Sequence, residues 1–185
     1  MAKIEIIMGS MYSGKSTELI RRCRRYECIG NKVKIINHSF DTRCDENSVQ
    51  THSNLVHEAY KTDKLLNINI DSLQNIDVIG IDEAQFFDDL PQFIDMIERT
   101  NKIIIVAGLD GDFRRQKFGK ILDIIPKADC VTKLSALCSY CRNGTLASFT
   151  KKTNDSDDII DVGASDKYVA VCREHYFALS NGCHI

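Results

Sequence analysis

Four short apolar runs stand out along the chain, each bounded by polar residues. They are Ile4-Glu5-Ile6-Ile7-Met8, Lys32-Val33-Lys34-Ile35-Ile36-Asn37, Ile76-Asp77-Val78-Ile79-Gly80-Ile81 and Lys102-Ile103-Ile104-Ile105-Val106-Ala107-Gly108. Runs this short, apolar at successive positions and rich in β-branched residues, predict strands covered on both faces. Segments of helical character lie between them. Thr17-Glu18-Leu19-Ile20-Arg21-Arg22 opens a helix predicted to run to about Gly30. Leu90–Arg99 is amphipathic, with Pro91 where a first helical turn tolerates it, and a short helix is predicted near Asp63–Leu66. Residues 38–60 are polar and predict an irregular connection, with Asp41-Thr42-Arg43 and Thr51-His52-Ser53-Asn54 as ligand-facing pieces. Strands alternating with helices predict an α/β fold with a mostly parallel sheet. After residue 133 the apolar pattern stops. A P-loop-bearing domain over 1–133 and a small metal-pinned subdomain over 134–185, with a polar Asp-rich loop at 153–161, follow from that change.

The first apolar run leads into Gly9-Ser10-Met11-Tyr12-Ser13-Gly14-Lys15-Ser16, which fills G-x-x-x-x-G-K-[ST] at every fixed position. With glycine near 7% of residues, a chance match in a chain this long is on the order of one in a hundred. The strand before and helix after supply the context in which backbone N–H groups and a helix N-terminus wrap a polyphosphate. Lys15 reaches the β- and γ-phosphates and Ser16 ligates Mg²⁺ in such a loop. Asp82-Glu83 ends the third apolar run. An acid at that position holds Mg²⁺, and its neighbour is left to take a proton from an attacking hydroxyl. The motif therefore predicts a nucleoside-triphosphate site.

Composition narrows the class further. The 185 residues carry a net charge of −2, with 43% hydrophobic and 27% charged residues, as in globular proteins. No apolar stretch is long enough to span a bilayer, and the first strand starts too early for a signal peptide, so a cytoplasmic location is expected. There are eight cysteines. In a reducing compartment this count points to metal ligands rather than disulfides. Cys138-Ser139-Tyr140-Cys141 and Cys172-Arg173-Glu174-His175 share one internal spacing. Together they offer four S or N ligands, a closed tetrahedral set that suits a structural Zn²⁺.

Other features weigh less. Arg21-Arg22-Cys23-Arg24-Arg25 is a short basic run on a predicted helix, more often a solvated face than a nucleic-acid contact, and the acidic balance agrees. The loop Leu109–Gly119 follows the strongest strand, where α/β proteins bind ligands, and carries Phe113, Phe118, Arg114 and Arg115.

Gly9–Glu18 (GSMYSGKSTE), Asp82–Phe87 (DEAQFF), Leu109–Gly119, the Cys138/Cys141 pair and Asp166–Arg173 (DKYVAVCR) occur in one order over nearly the whole chain. The ordered set closely resembles the cytosolic-type (type II) thymidine kinases. The resemblance implies a RecA-like P-loop domain with a small zinc-binding lasso, assembled as a homotetramer. It implies ATP-dependent phosphorylation of thymidine and deoxyuridine on the 5′-hydroxyl, and feedback inhibition by dTTP. Carried onto this sequence, Glu83 is the general base and Asp82 the Mg²⁺-associated acid. Met11, Leu109 and Thr150 surround the thymine methyl, Phe86, Phe113 and Tyr168 line the base pocket, and backbone at Val162-Gly163 meets the polar edge of the base. A P-loop ATPase with a zinc ribbon that acts on nucleic acid through Arg21–Arg25 is the competing class.

Overall fold

The computed structural model describes residues 1–40, 48–50, 56–153 and 167–180. Strand β1 (Lys3–Gly9) leads through a tight loop into helix α1 (Lys15–Glu27), and β2 (Val33–His38) follows. A short antiparallel pair, β3 (Ser48–Gln50) and β4 (Val56–Glu58), precedes β5 (Tyr60–Thr62). Two 3₁₀ turns, Leu65–Asn67 and Ile70–Leu73, lead to β6 (Val78–Ile81) and a third, Ala84–Phe86. Helix α2 (Leu90–Ile97), β7 (Ile103–Gly108), a 3₁₀ segment Ile121–Lys127 and β8 (Cys130–Leu134) complete the larger part. The remainder is two antiparallel pairs, β9 (Ala136–Leu137) with β10 (Leu146–Ala147) and β11 (Phe149–Lys152) with β12 (Tyr168–Val171), and then helix α3 (Arg173–Ser180).

Six strands form one sheet in the order β5-β2-β6-β7-β1-β8, every pair parallel. The apolar runs are long because both faces are covered. Along β7, Ile104 and Val106 enter one core with Phe87, Phe93 and Ile94, while Ile105 and Ala107 enter a second with Leu19, Ile20 and Cys23 of α1. Strands β1, β2 and β6 split in the same way, so side chains of period two feed two layers. Each isoleucine fully buried there contributes roughly 1.5–3 kcal/mol relative to exposure.

All four predicted strands are present, and two more sit at the edges. Both escape an apolar-run criterion for one physical reason: an edge strand is covered less. β5 spans three residues, and every residue of β8 is exposed or half-buried. The polar 38–60 stretch is not wholly irregular, since β3 and β4 pair within it; residues 41–47 and 51–55, with their proposed ligand-facing pieces, lie outside the described residues. The short helix expected near Asp63–Leu66 is the 3₁₀ turn Leu65–Asn67. Helix α3 starts inside the Cys-x-x-His pair and carried no apolar signal of its own.

The basic run on α1 is partly committed within the fold. Arg21 and Arg22 both bind Glu18, and Arg22 reaches on to Glu5 at 2.8 Å and Thr132 Oγ1 at 3.0 Å, joining α1 to β1 and β8. Hydrogen bonds from Arg21 and then Arg22, against the opposing cost of desolvation, hold the Glu18 carboxyl at about 2. A depressed carboxylate stabilises the fold above its unfolded value near 4.5 and loses that contribution as pH falls toward 2. Glu18→Gln is therefore expected to flatten the fall in unfolding free energy across that window. Urea midpoints at a series of acidic pH values check it, and parallel curves for the two proteins would refute it.

Candidate active site

The C-terminal ends of β1, β6 and β7 lie side by side, with Ile6 and Ile81 both registered on Val106. Three loops therefore open on the same edge of the sheet: Gly9–Ser16, the Asp82-Glu83 turn and the loop from Leu109. Ligands of parallel α/β sheets bind at that edge.

Gly9 has φ 151° and Gly14, the N-cap of α1, has φ 82°. These values let the chain reverse between strand and helix, and a Cβ on Gly9 would strike the carbonyl oxygen of Leu134. Lys15 Nζ donates to the Ser10 carbonyl at 2.7 Å, and Ser13 Oγ donates to the same oxygen at 2.8 Å. The loop is also strapped from outside. Ser10 Oγ donates to the Ala147 carbonyl at 3.0 Å, and the Met11 N–H donates to Thr150 Oγ1 at 2.9 Å. Tyr12, at φ 63°, packs against the small core formed by Ala136, Cys138, Ala147, Ala170, Val171 and Cys172. Ser16 lies in the first turn of α1.

Asp82 is buried at the end of β6, and its Oδ1 accepts the Glu83 N–H at 3.0 Å. Glu83 sits in the left-handed region at φ 51°. The strained turn aims its carboxylate along the sheet edge, where Oε2 accepts from Gln85 Nε2 at 2.6 Å. Gln85 Oε1 in turn accepts the Leu109 N–H at 2.9 Å. Sequence reasoning gave Gln85 no role, because its burial and its bond to the Leu109 N–H have no local sign in the chain.

The proposed base-pocket residues fall into groups. Met11 and Thr150 share a hydrogen bond. Lys152 Nζ lies 5.4 Å from the Phe113 ring and 5.8 Å from the Tyr168 ring, bringing those two around one cation. Lys152 is itself buried and was not anticipated. Phe86 belongs to another aromatic group, with ring centroids 5.6 Å from His38, 5.8 Å from Phe40 and 5.6 Å from Phe118. His38 Nδ1 accepts the Phe40 N–H, and burial holds its pKa low, so this histidine is a neutral packing group. Val162 and Gly163 lie outside the described residues. Of the two arginines in the 109–119 loop, Arg115 turns away to stack on Tyr176 at 4.4 Å and Phe177 at 4.7 Å. The Tyr176 hydroxyl donates to the Phe113 carbonyl at 2.9 Å, a second tie between that loop and α3.

Cys138, Cys141, Cys172 and His175 converge with all four ligand atoms within 4.8 Å of one another. Cys141 and Cys172 sulfurs are 3.8 Å apart, and His175 Nδ1 is 3.7, 3.4 and 3.2 Å from the sulfurs of Cys138, Cys141 and Cys172. A tetrahedron with metal–sulfur bonds of about 2.3 Å has S–S edges of about 3.8 Å. The cluster therefore has the size of a closed metal site, and it could hold zinc. Desolvation raises the Cys138 thiol, but N–H groups of Cys141, Cys172 and Tyr140 bring it to about 6, the thiolate form that ligates.

The family model described as "Thymidine kinase" matches residues 2–176. The chain belongs to the thymidine kinase family. The thymidine kinase of Yaba monkey tumor virus (strain VR587) is 46% identical over 178 residues, covering 96% of each chain. Thymidine kinase 1 of Dictyostelium discoideum is 42% identical, over 94% of this chain and 77% of that one. Thymidine kinase a of Arabidopsis thaliana is 44% identical, over 94% and 74%. Membership of the thymidine kinase family and the sheet-edge geometry point the same way: a phosphate loop, a carboxylate turn and an aromatic-lined loop meet at one place.

Proposed function

We propose that this chain transfers the γ-phosphoryl group of ATP to the 5′-hydroxyl of thymidine, giving dTMP and ADP for nucleotide salvage. One observation carries the assignment of roles: the phosphate loop and Glu83 end the two strands that flank β7, at the same edge of the sheet. The amides of residues 9–16 and Lys15 bind and orient the triphosphate. Glu83 accepts the 5′-hydroxyl proton as O5′ bonds to the γ-phosphorus and the bond from that phosphorus to the β-bridging oxygen breaks. The electron pair leaves on ADP. Ser16 and Asp82 form an all-oxygen donor set suited to Mg²⁺. When bound, that ion neutralises charge on the phosphates. Met11, Leu109 and Thr150 face the thymine methyl in this reading, with Phe86, Phe113, Tyr168 and the backbone of Val162 and Gly163 around the base.

The Cys138, Cys141, Cys172 and His175 set holds a structural Zn²⁺, because four protein ligands leave no open position for water. The division into a P-loop domain over 1–133 and a zinc-bearing unit over 134–185, a cytoplasmic homotetramer and inhibition by dTTP belong to the same reading. No helix of the described residues is long and apolar enough to cross a membrane.

Transfer of γ-phosphate to thymidine, deoxyuridine, deoxycytidine and deoxyguanosine tests the proposal. A methyl pocket discriminates by about 1–3 kcal/mol, so kcat/KM for thymidine should exceed that for deoxyuridine by roughly 10–200-fold. Deoxycytidine and deoxyguanosine should fall further, because their edges leave buried polar groups unpaired. Absence of transfer to any nucleoside, with DNA-stimulated ATP hydrolysis instead, would overturn it.

A further inference from the structure

We infer that Gln85 is a positioning residue for catalysis, an amide link that holds the Glu83 carboxylate in register with the loop at Leu109. The inference rests on Glu83 being the base. Its geometric support is independent of that role. Gln85 is only 2% exposed, and both ends of its amide are engaged.

The orientation of the amide is chemically determined. The Leu109 N–H can only donate, so it requires Oε1 at 2.9 Å. The NH₂ group then faces the other way, toward Glu83 Oε2 at 2.6 Å, and an ionised carboxylate is the acceptor it needs. The surroundings leave room for this side chain and little else. A Cβ at Gly108 would lie 2.7 Å from Gln85 Oε1, and a Cβ at Gly119 would collide with the Gln85 backbone. Two glycines on separate elements thus frame one glutamine.

Its place between β6 and β7 explains the use. Glu83 follows β6 and Leu109 follows β7, so the amide spans from the proton acceptor to a residue proposed to touch the thymine methyl. Base recognition and base catalysis then share one hydrogen-bonded chain. Asp82, adjacent in the chain, and His38 of β2 are among the titratable groups that face Glu83.

The test is kcat and KM for thymidine and KM for ATP, in wild type, Gln85→Met, Gln85→Glu, Glu83→Gln and the double variant Glu83→Gln/Gln85→Met. Gln85→Met keeps the volume and removes the donor to Glu83. It should lower kcat roughly 10–100-fold, with KM for ATP unchanged. Gln85→Glu retains an acceptor for the Leu109 N–H and removes that donor, so its kcat should fall too, whereas a purely structural tie to Leu109 predicts wild-type kcat. In the double variant, Gln85→Met should cost little beyond Glu83→Gln, because both act through one group. Wild-type kcat in both single Gln85 variants, or a fully additive loss in the double variant, would overturn the inference. Should Gln85→Met fail to fold by circular dichroism, Gln85→Glu, alone and combined with Glu83→Gln, decides. Glu83→Gln at full activity would remove the base and this inference with it. An inactive Glu83→Gln beside Gln85 variants of wild-type kcat would overturn the positioning role alone.

Discussion

Glu83→Gln is expected to lower kcat for thymidine phosphorylation by roughly 10²–10⁴-fold, the usual contribution of a positioned general base. The substitution keeps the shape of the side chain and removes its basicity. KM for ATP should stay near its wild-type value, because the proposed function gives the triphosphate to the loop at residues 9–16 and to Lys15. Thermal stability should also hold, since the turn at φ 51° is unchanged and a glutamine still offers an oxygen to Gln85. Single-turnover transfer under saturating substrates measures the chemical step directly. A loss smaller than about threefold would mean that the hydroxyl proton leaves by another route and that catalysis is positioning and charge neutralisation alone.

On the proposed zinc reading, removing the metal from the cysteine–histidine cluster should weaken ATP binding. Among the described residues, the core beside this cluster has six buried members, three of them alanines, and two of the others are Cys138 and Cys172 of the cluster itself. Such a core cannot hold itself together, whereas a structural Zn²⁺ site supplies an apparent binding free energy of about 10–16 kcal/mol. Cys172→Ser, or chelation of the wild type, should therefore melt strands β9 to β12. With them go two hydrogen bonds to the phosphate loop, from Ser10 Oγ to Ala147 and from the Met11 N–H to Thr150. Expected results are a lowered Tm, loss of bound zinc by elemental analysis, and a rise in KM for ATP of roughly tenfold or more, as two such bonds suggest. Wild-type ATP binding in protein stripped of metal would show that the strap is dispensable.

The sheet centre was legible because doubly covered strands must be apolar at successive positions, and β1, β2, β6 and β7 all are. β5 and β8 were not, because an edge strand with exposed residues resembles a loop. The turn between β1 and α1 and the convergence of Cys138, Cys141, Cys172 and His175 could be read by spacing alone, since each is a local pattern. Gln85, Lys152 and the strap from Ala147 and Thr150 could not. Their partners lie far along the chain, and a glutamine or lysine carries no local sign of what will surround it. His38 shows the reverse: a histidine near the site is a neutral packing group, which only its neighbours reveal.

The position of β1 in the sheet has a consequence for synthesis. This strand precedes every other strand of the sheet in the chain, yet its two neighbours are β7 and β8. Ile6 is registered with Val106 and Val131, so its partners appear 106 − 6 = 100 and 131 − 6 = 125 residues later. Pairings of such long sequence separation form slowly and leave apolar strand edges waiting. A nascent chain thus presents the Gly9–Ser16 loop long before its strand can be flanked, and the sheet edge that carries the loop cannot assemble until residues 103–134 have left the ribosome. Chains cut short before that point would expose β1 as a template for association with other chains rather than yield a weakened enzyme.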